Sequence, residues 1–432
     1  MSSHPTIPES ASRPSPTATE APETTAIPTR PRLVRFGAGF IIIGLFWAVG
    51  LAMVANVLLP QRLTDIGVAS PEAWFGTINA ITAVVSLVSN LVFGNLSDRV
   101  RTRFGRRTPW IVGGAVLGGV ALAAVGVIDD PVGITVVYSF ALVGLNMMLA
   151  PAVAVISDRV PLSARGTMSA FWGAGVTIGY PIGALVGAAF ITVTVPGYFL
   201  GGALMLLAGV LAVIVWPREK SALDLPAKAG GFKELGKSFR PPRHAPDFYK
   251  AFVGRLFMLI SYQMIAAYQL YIVQQYIGQT VAESAATISV MSIITLVVGL
   301  VASLGSGPIS DRIGRRKVPV VVASVLFAAG VAMPWIWPTT MGMFLYAGIA
   351  GLGYGVYSSV DQALNVDVLP SKEEAGKDLG ILNLATTLGQ TLGPIITSSI
   401  AVATGSYTFI FPISIAMAVL GAFTITRIKS VR

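Results

Sequence analysis

Cysteine is absent from the 432 residues, and histidine occurs only at positions 4 and 244, neither within an apolar run. Disulfides, a thiolate metal site and a nucleophilic thiol are thereby excluded, and no cofactor or metal is expected. Charge is scarce as well: 12% of residues are charged, against roughly 25% in a soluble domain. Apolar residues make up 54% and the mean hydropathy is +0.73, which defines an integral membrane protein. The net charge of +10 does not point to nucleic acid, because such a partner needs a basic face on a soluble fold. No enzymatic constellation is visible.

The first stretch, residues 1–32, is rich in Ser, Thr, Pro and Ala without a large apolar run, and its composition predicts a disordered cytoplasmic tail. A bilayer core needs about 20 mostly apolar residues per helix. Such runs fall at roughly 36–60, 73–95, 109–128, 131–154, 165–193, 197–216, 249–276, 284–306, 318–337, 340–365, 378–403 and 407–427. The expectation is an all-α membrane protein of twelve transmembrane helices. Pro181, Pro334 and Pro394 should kink rather than end their helices.

Of the 30 Lys and Arg, 28 fall on the side of the even-numbered connections and the two ends, all but Arg62 and Arg255. The positive-inside rule then places both termini in the cytoplasm of a cell whose plasma (inner) membrane holds the chain. The sequence also repeats itself. Asp98-Arg99 with Gly105-Arg106-Arg107 returns as Asp311-Arg312 with Gly314-Arg315-Arg316, and Asp158, Pro161, Gly166 and Gly183 align with Asp367, Pro370, Gly376 and Gly393. Two six-helix halves, 33–217 and 249–432, are therefore expected around a linker at 218–248.

The loop GNLSDRVRTRFGRR and its echo GPISDRIGRR resemble the signature loop of the major facilitator superfamily. The long form of the first copy resembles the sucrose-transporter and glycoside-pentoside-hexuronide:cation symporter branch. The resemblance implies two pseudo-symmetric bundles around a central cavity, lined mainly by helices 1, 4, 7 and 10, and alternating access by rocking. Sodium-coupled members of that branch carry carboxylates inside helices 2 and 4, which this chain lacks, so a proton or no coupling ion fits better.

An aspartate just past helix 2, near the positive N-terminal end of a helix from the other half, would be held by that dipole and by arginines. On this reading Asp98 and Asp311 are cytoplasmic latches, Gly94 and Gly307 permit close approach, and Arg99, Gly105, Arg106, Arg107, Arg312, Gly314, Arg315 and Arg316 complete the gate with Asp158 and Asp367. The plainer alternative is a set of solvated, topology-setting charges.

Charges inside spans are costly without a partner. Arg255 in helix 7 and Asp361 in helix 10 should lie at similar depth and pair, either as a proton-coupling site or as a permanent tie between helices. Along helix 7, Arg255, Tyr262 and Gln269 recur every seven residues and so share a face, extended by Gln263, Tyr268, Tyr271 and Gln274. Tyrosine and glutamine suit a sugar, offering hydrogen bonds and an aromatic face, although a helix-helix seam would look alike. Trp47, Asn56, Asn146, Trp172, Tyr180 and Asn383 are further candidates for binding, with packing as the competing role.

GFKELGKS at 231–238 satisfies a nucleotide-binding pattern, but that motif needs a preceding strand within an α/β domain. An amphipathic surface segment is expected instead. The leading reading is a monomeric, proton-coupled importer of a sugar or glycoside in contact with membrane lipid. The second is a proton-driven exporter of drug-like molecules, suggested by the glycines of GAGVTIGYPIGALVG. A receptor or scaffold that transports nothing is the third.

Overall fold

The computed structural model describes residues 30–223, 242, 245–313, 315–370 and 375–429, with the side chains of 307, 308, 311 and 375–377 left aside. Most of the expected tail and linker, including GFKELGKS, lies outside the described residues.

Helices dominate, because lipid leaves a backbone no partner but itself. In order they are α1 (Arg30–Asp65), α2 (Pro71–Arg99), α3 (Thr108–Val127), α4 (Pro131–Arg159), α5 (Leu162–Ala189), α6 (Thr194–Val215), α7 (Pro246–Ala266 continued by Gln269–Tyr276), α8 (Val281–Ile313), α9 (Lys317–Ile336), α10 (Thr340–Asp367), α11 (Ala375–Thr404) and α12 (Ile410–Thr426). Ten are single helices long and apolar enough to span a membrane, and the two parts of α7 together make an eleventh. The last, α12, is apolar over 17 residues, about 26 Å of helix. Pro181, Pro334 and Pro394 sit inside α5, α9 and α11. Several helices run a turn or more past their apolar stretches into charged sequence, as α1 does in starting at Arg30.

The packing is two-fold in pattern. In the first half α1 packs on α5 and α6, α3 on α4 and α6, and α2 on α4; adding six to each label gives the second half, where α7 packs on α11 and α12, α9 on α10 and α12, and α8 on α10. The halves meet through α2 with α11 and α5 with α8, again a symmetric pair. Glycines set the tightest of these contacts. On α5, Gly175, Gly179, Gly183 and Gly187 follow at every fourth residue, and a β-carbon at each would press within 3.0 Å of α1. Small residues at that spacing let two backbones approach, which accounts for the GAGVTIGYPIGALVG glycines by packing.

Helix α7 departs from the expected single span. Its two parts meet at a 49° bend, and beyond it the chain winds as a π-helical turn, Ile272–Tyr276. α1 contains the matching feature, a π-helical turn at Val54–Leu58.

Candidate functional site

Arg255 and Asp361 come together as expected, and a third helix joins them. The Arg255 guanidinium bonds Asp361 Oδ2 through Nη1, and Asn365 Nδ2 donates to the same oxygen at 2.9 Å. From α11, Thr386 Oγ1 accepts from Arg255 Nε at 3.2 Å and from Nη2 at 3.0 Å, while Asn383 Oδ1 lies 3.5 Å from Nη2. The residues Arg255 and Asp361 are only 6% and 3% exposed. A pair so enclosed is held by full hydrogen bonding as much as by charge.

Beside the pair stands a tyrosine wall that helix 7 alone did not reveal. Tyr354, Tyr357, Asp361 and Asn365 follow at spacings of three, four and four on α10, one helical face. The Tyr354 ring stacks on Tyr262 of α7 with centroids 3.8 Å apart and planes 8° from parallel, and Tyr357 lies 6.3 Å further on. In the first half, Tyr180 of α5 is 36% exposed. It meets the Trp47 indole edge-on at 5.9 Å. The Tyr262–Tyr354 stack thus stands on the helices that carry the ion pair, and Trp47 with Tyr180 forms an aromatic pair in the first half.

The other candidates scatter. Asn146 donates to Leu142 O on its own helix at 2.9 Å and accepts from Asn90 of α2 at 3.2 Å. Trp172 packs 6.3 Å from Phe40, Asn56 lies in the π-helical turn of α1, and the Gln263 stem rests against Gly393. The bend carries the rest of the helix 7 stripe elsewhere. Gln269 reaches Met291 of α8, while Tyr268 and Tyr271 donate to the carbonyls of Glu72 and Pro60, both at 3.0 Å. Gln274 Nε2 donates to Gln61 Oε1 at 2.8 Å and to Ser284 Oγ at 3.1 Å. Ser398 of α11 shares the Glu72 carbonyl at 3.2 Å. Together with an apolar cluster of Val57, Ala188, Ile191, Leu270 and Ile288, these contacts seal the two halves at the end away from the arginine-rich loops.

At the arginine-rich end, the first half carries a dense charge network. Arg107, 4% exposed, bonds Asp98, reaches Asp158 Oδ2 through Nε at 2.8 Å and donates to Ser97 Oγ at 2.5 Å. Arg106 joins Asp158 at 2.8 Å, and Arg101 donates to the Asp98 carbonyl at 2.7 Å. A β-carbon at Gly94 would come no nearer than 3.9 Å to Ala150 of α4, so no close approach requires the glycine in this state. Asp98 is therefore engaged within its own half. In the second half Arg316 meets Asp367 at 3.4 Å, and Arg312 and Arg315 are exposed. Gly314 lies outside the described residues, as do the side-chain surroundings of Gly307 and Asp311.

Sequence reasoning missed Glu219. Its carboxylate accepts the backbone N–H groups of Arg106 (3.0 Å), Arg107 (3.2 Å) and Thr108 (2.9 Å) and the Thr108 hydroxyl (2.8 Å). An anion is well placed there, where α3 leaves its first donors unpaired. Gly105 makes the turn possible: its φ is +92°, and a β-carbon would collide with Glu219 at 2.1 Å.

The sequence model of the Major Facilitator Superfamily matches residues 36–303 and again 251–431. The chain belongs to that family: it is a membrane transporter with the alternating-access fold, and not an enzyme. An uncharacterized symporter of Synechocystis sp. is 39% identical over 70 residues, 16% of this chain and 13% of its own length. The MFS transporter asaE of Aspergillus flavus is 31% identical over 182 residues, 41% of this chain and 39% of its own length. The matched stretches thus span well under half of either relative. Among solved structures, nucleoside transporter NupG superposes with a TM-score of 0.70 at 12% identity, covering 91% of this chain and 99% of the other. An inward-facing, unoccupied bacterial homolog of the human lysosomal transporter Spinster gives 0.64 at 14%, covering 93% and 95%. At such identities the likeness is one of fold.

Proposed function

We propose that this transporter is a proton-coupled symporter that carries a sugar or glycoside by alternating access, as a monomer in the inner membrane with both termini cytoplasmic. The observation that carries the proposal is the buried Arg255–Asp361 pair set beside the Tyr262–Tyr354 stack. A proton arriving on Asp361 cancels its charge and frees Arg255. The tyrosine faces cover the apolar side of a ring while their hydroxyls, with Asn383 and Thr386, offer hydrogen bonds. The likeness to the Synechocystis symporter over 70 residues supports this reading.

With the arginine-rich end placed in the cytoplasm, the sealed end would face outward, as it would in an inward-open state. Asp98 and Asp311 would latch the cytoplasmic end when the halves rock the other way, Asp98 exchanging Arg107 for the N-terminal end of the opposing helix. Proteoliposomes test the scheme. An acid exterior should drive accumulation of a labelled glycoside, and Asp361→Asn should abolish accumulation while sparing exchange. Accumulation that survives this substitution refutes the coupling role, and net expulsion under the same gradient identifies an exporter.

A further inference from the structure

The repeated loop exists in two lengths. Between Asp-Arg and Gly-Arg-Arg the first copy holds five residues, 100–104, where the second holds only Ile313. The shared motif is complete without the additional residues, so the insertion calls for a role of its own. It forms a pinned corner. Gly105 N–H donates to Thr102 O at 3.1 Å, and the Thr102 hydroxyl donates to Gly105 O at 2.6 Å and accepts from Phe104 N–H at 3.2 Å. A turn tied in this way holds Arg103 and Phe104 at its tip, both exposed, with the guanidinium 4.7 Å above the ring.

The segment leaving α6 is stitched to the same corner, since Ala222 N–H donates to Thr102 O at 3.1 Å. The backbone is extended where α6 ends at Trp216, and side chains of an extended chain alternate in direction. With Glu219 drawn inward by the start of α3, Arg218 and Lys220 face out and are exposed. Two large apolar side chains accompany these cations, Phe104 at 57% exposure and Leu223 at 61%.

Charge at this corner is unbalanced. Its acids are already engaged, Glu219 by the α3 amides, Asp158 by Arg106 and Arg107, and Asp98 by Arg107. Among the described residues no carboxylate pairs with Arg103, Arg218 or Lys220. Depth decides what they meet. α2 ends at Arg99 and the apolar run of α3 opens at Trp110, so residues 100–109 lie where a hydrocarbon core of about 30 Å gives way to headgroups. A protein partner would call for a contiguous apolar patch of more than a few hundred Å². Two apolar side chains beside three cations suit an amphiphile instead, with acyl chains below and a negative charge above.

We propose that this corner binds an anionic phospholipid, whose phosphodiester is held by Arg103, Arg218 and Lys220 while the upper part of an acyl chain rests on Phe104 and Leu223. A guanidinium pairs with phosphate oxygens through parallel hydrogen bonds, and an ammonium adds a point charge. The bound lipid joins the loop after α2 to the segment after α6 from outside, as Glu219 joins them from within. The second half, which lacks the insertion, has no counterpart.

A chain without cysteine permits a local reading. Bimane on Ser221→Cys, beside the site, is followed in phosphatidylcholine liposomes that receive rising amounts of phosphatidylglycerol or phosphatidylcholine carrying a nitroxide quencher high on the acyl chain. The anionic quencher should act at a several-fold lower mole fraction, and added salt should narrow the gap. A cation at an anionic surface is worth about fivefold in binding, so Arg103→Gln and Lys220→Gln should each reduce the preference by about that factor. Lys429→Gln, which removes an exposed charge from the other half, should leave it unchanged. Equal quenching by the two lipids overturns the proposal. So does an equal loss in all three variants, which would assign the preference to the charge of the whole surface, and so does relief of quenching by millimolar-range soluble glycerol phosphate, which would assign the cations to a free phosphate ester.

Discussion

Gly76 of α2 faces Ser398 of α11 so closely that a β-carbon at position 76 would lie 2.5 Å from the serine Oγ and 3.0 Å from the Tyr268 hydroxyl. The two halves of the molecule touch here because one of them has no side chain. Gly76→Val should therefore prop this end open. The chain's lack of cysteine makes the measurement clean: spin labels on Ala69→Cys and Thr404→Cys should report a longer distance in the Gly76→Val background. An unchanged distance would show that the seal tolerates the extra volume.

Arg255→Ala leaves Asp361 buried without its cation and should destabilise the protein by about 3–5 kcal/mol. Adding Asp361→Asn should recover part of that loss, because the uncompensated charge is gone. Denaturation of the two single variants and the double variant in detergent measures the coupling, which is expected to be about 1–3 kcal/mol for residues in one network.

Tyr354 is placed to act through its ring. Tyr354→Phe keeps the stack on Tyr262 and should leave solute affinity close to wild type, whereas Tyr354→Ala should weaken it by roughly 2- to 10-fold, the equivalent of an aromatic pair worth about 0.5–1.5 kcal/mol. Equilibrium binding to purified protein distinguishes the cases. Equal losses in both variants would assign the role to the hydroxyl.

Glu219→Ala removes the acceptor for three backbone N–H groups at the start of α3, and loss of such a cap costs about 0.5–2 kcal/mol. Hydrogen exchange at the amides of Arg106, Arg107 and Thr108 should quicken first. Protection that is unchanged there would mean that water replaces the carboxylate without penalty.

Much of this was legible beforehand. Helix number and type followed from apolar length, and the two-fold pattern of packing from the repeated Asp-Arg and Gly-Arg-Arg loops. The Arg255–Asp361 pairing followed from depth alone, since antiparallel helices place residues two turns in from the same end side by side. The 49° bend of α7 was not legible, because tyrosines and glutamines at sevenfold spacing look continuous in a straight helix. That bend sends Tyr268, Tyr271 and Gln274 to the seal between the halves. The α10 wall was available in the spacing of Tyr354, Tyr357, Asp361 and Asn365, which attention to helix 7 passed over. Glu219 gave no signal: its partners lie more than 110 residues earlier, and nothing local marks a glutamate after a span as a helix cap.

The acceptors on the first half of the seal are largely main-chain oxygens, those of Pro60 and Glu72. A carbonyl persists whatever residue supplies it. Alanine scanning will consequently register the donors Tyr268, Tyr271 and Ser398 while passing silently over residues that do half the holding, and related chains are free to vary at those places without loosening the closure.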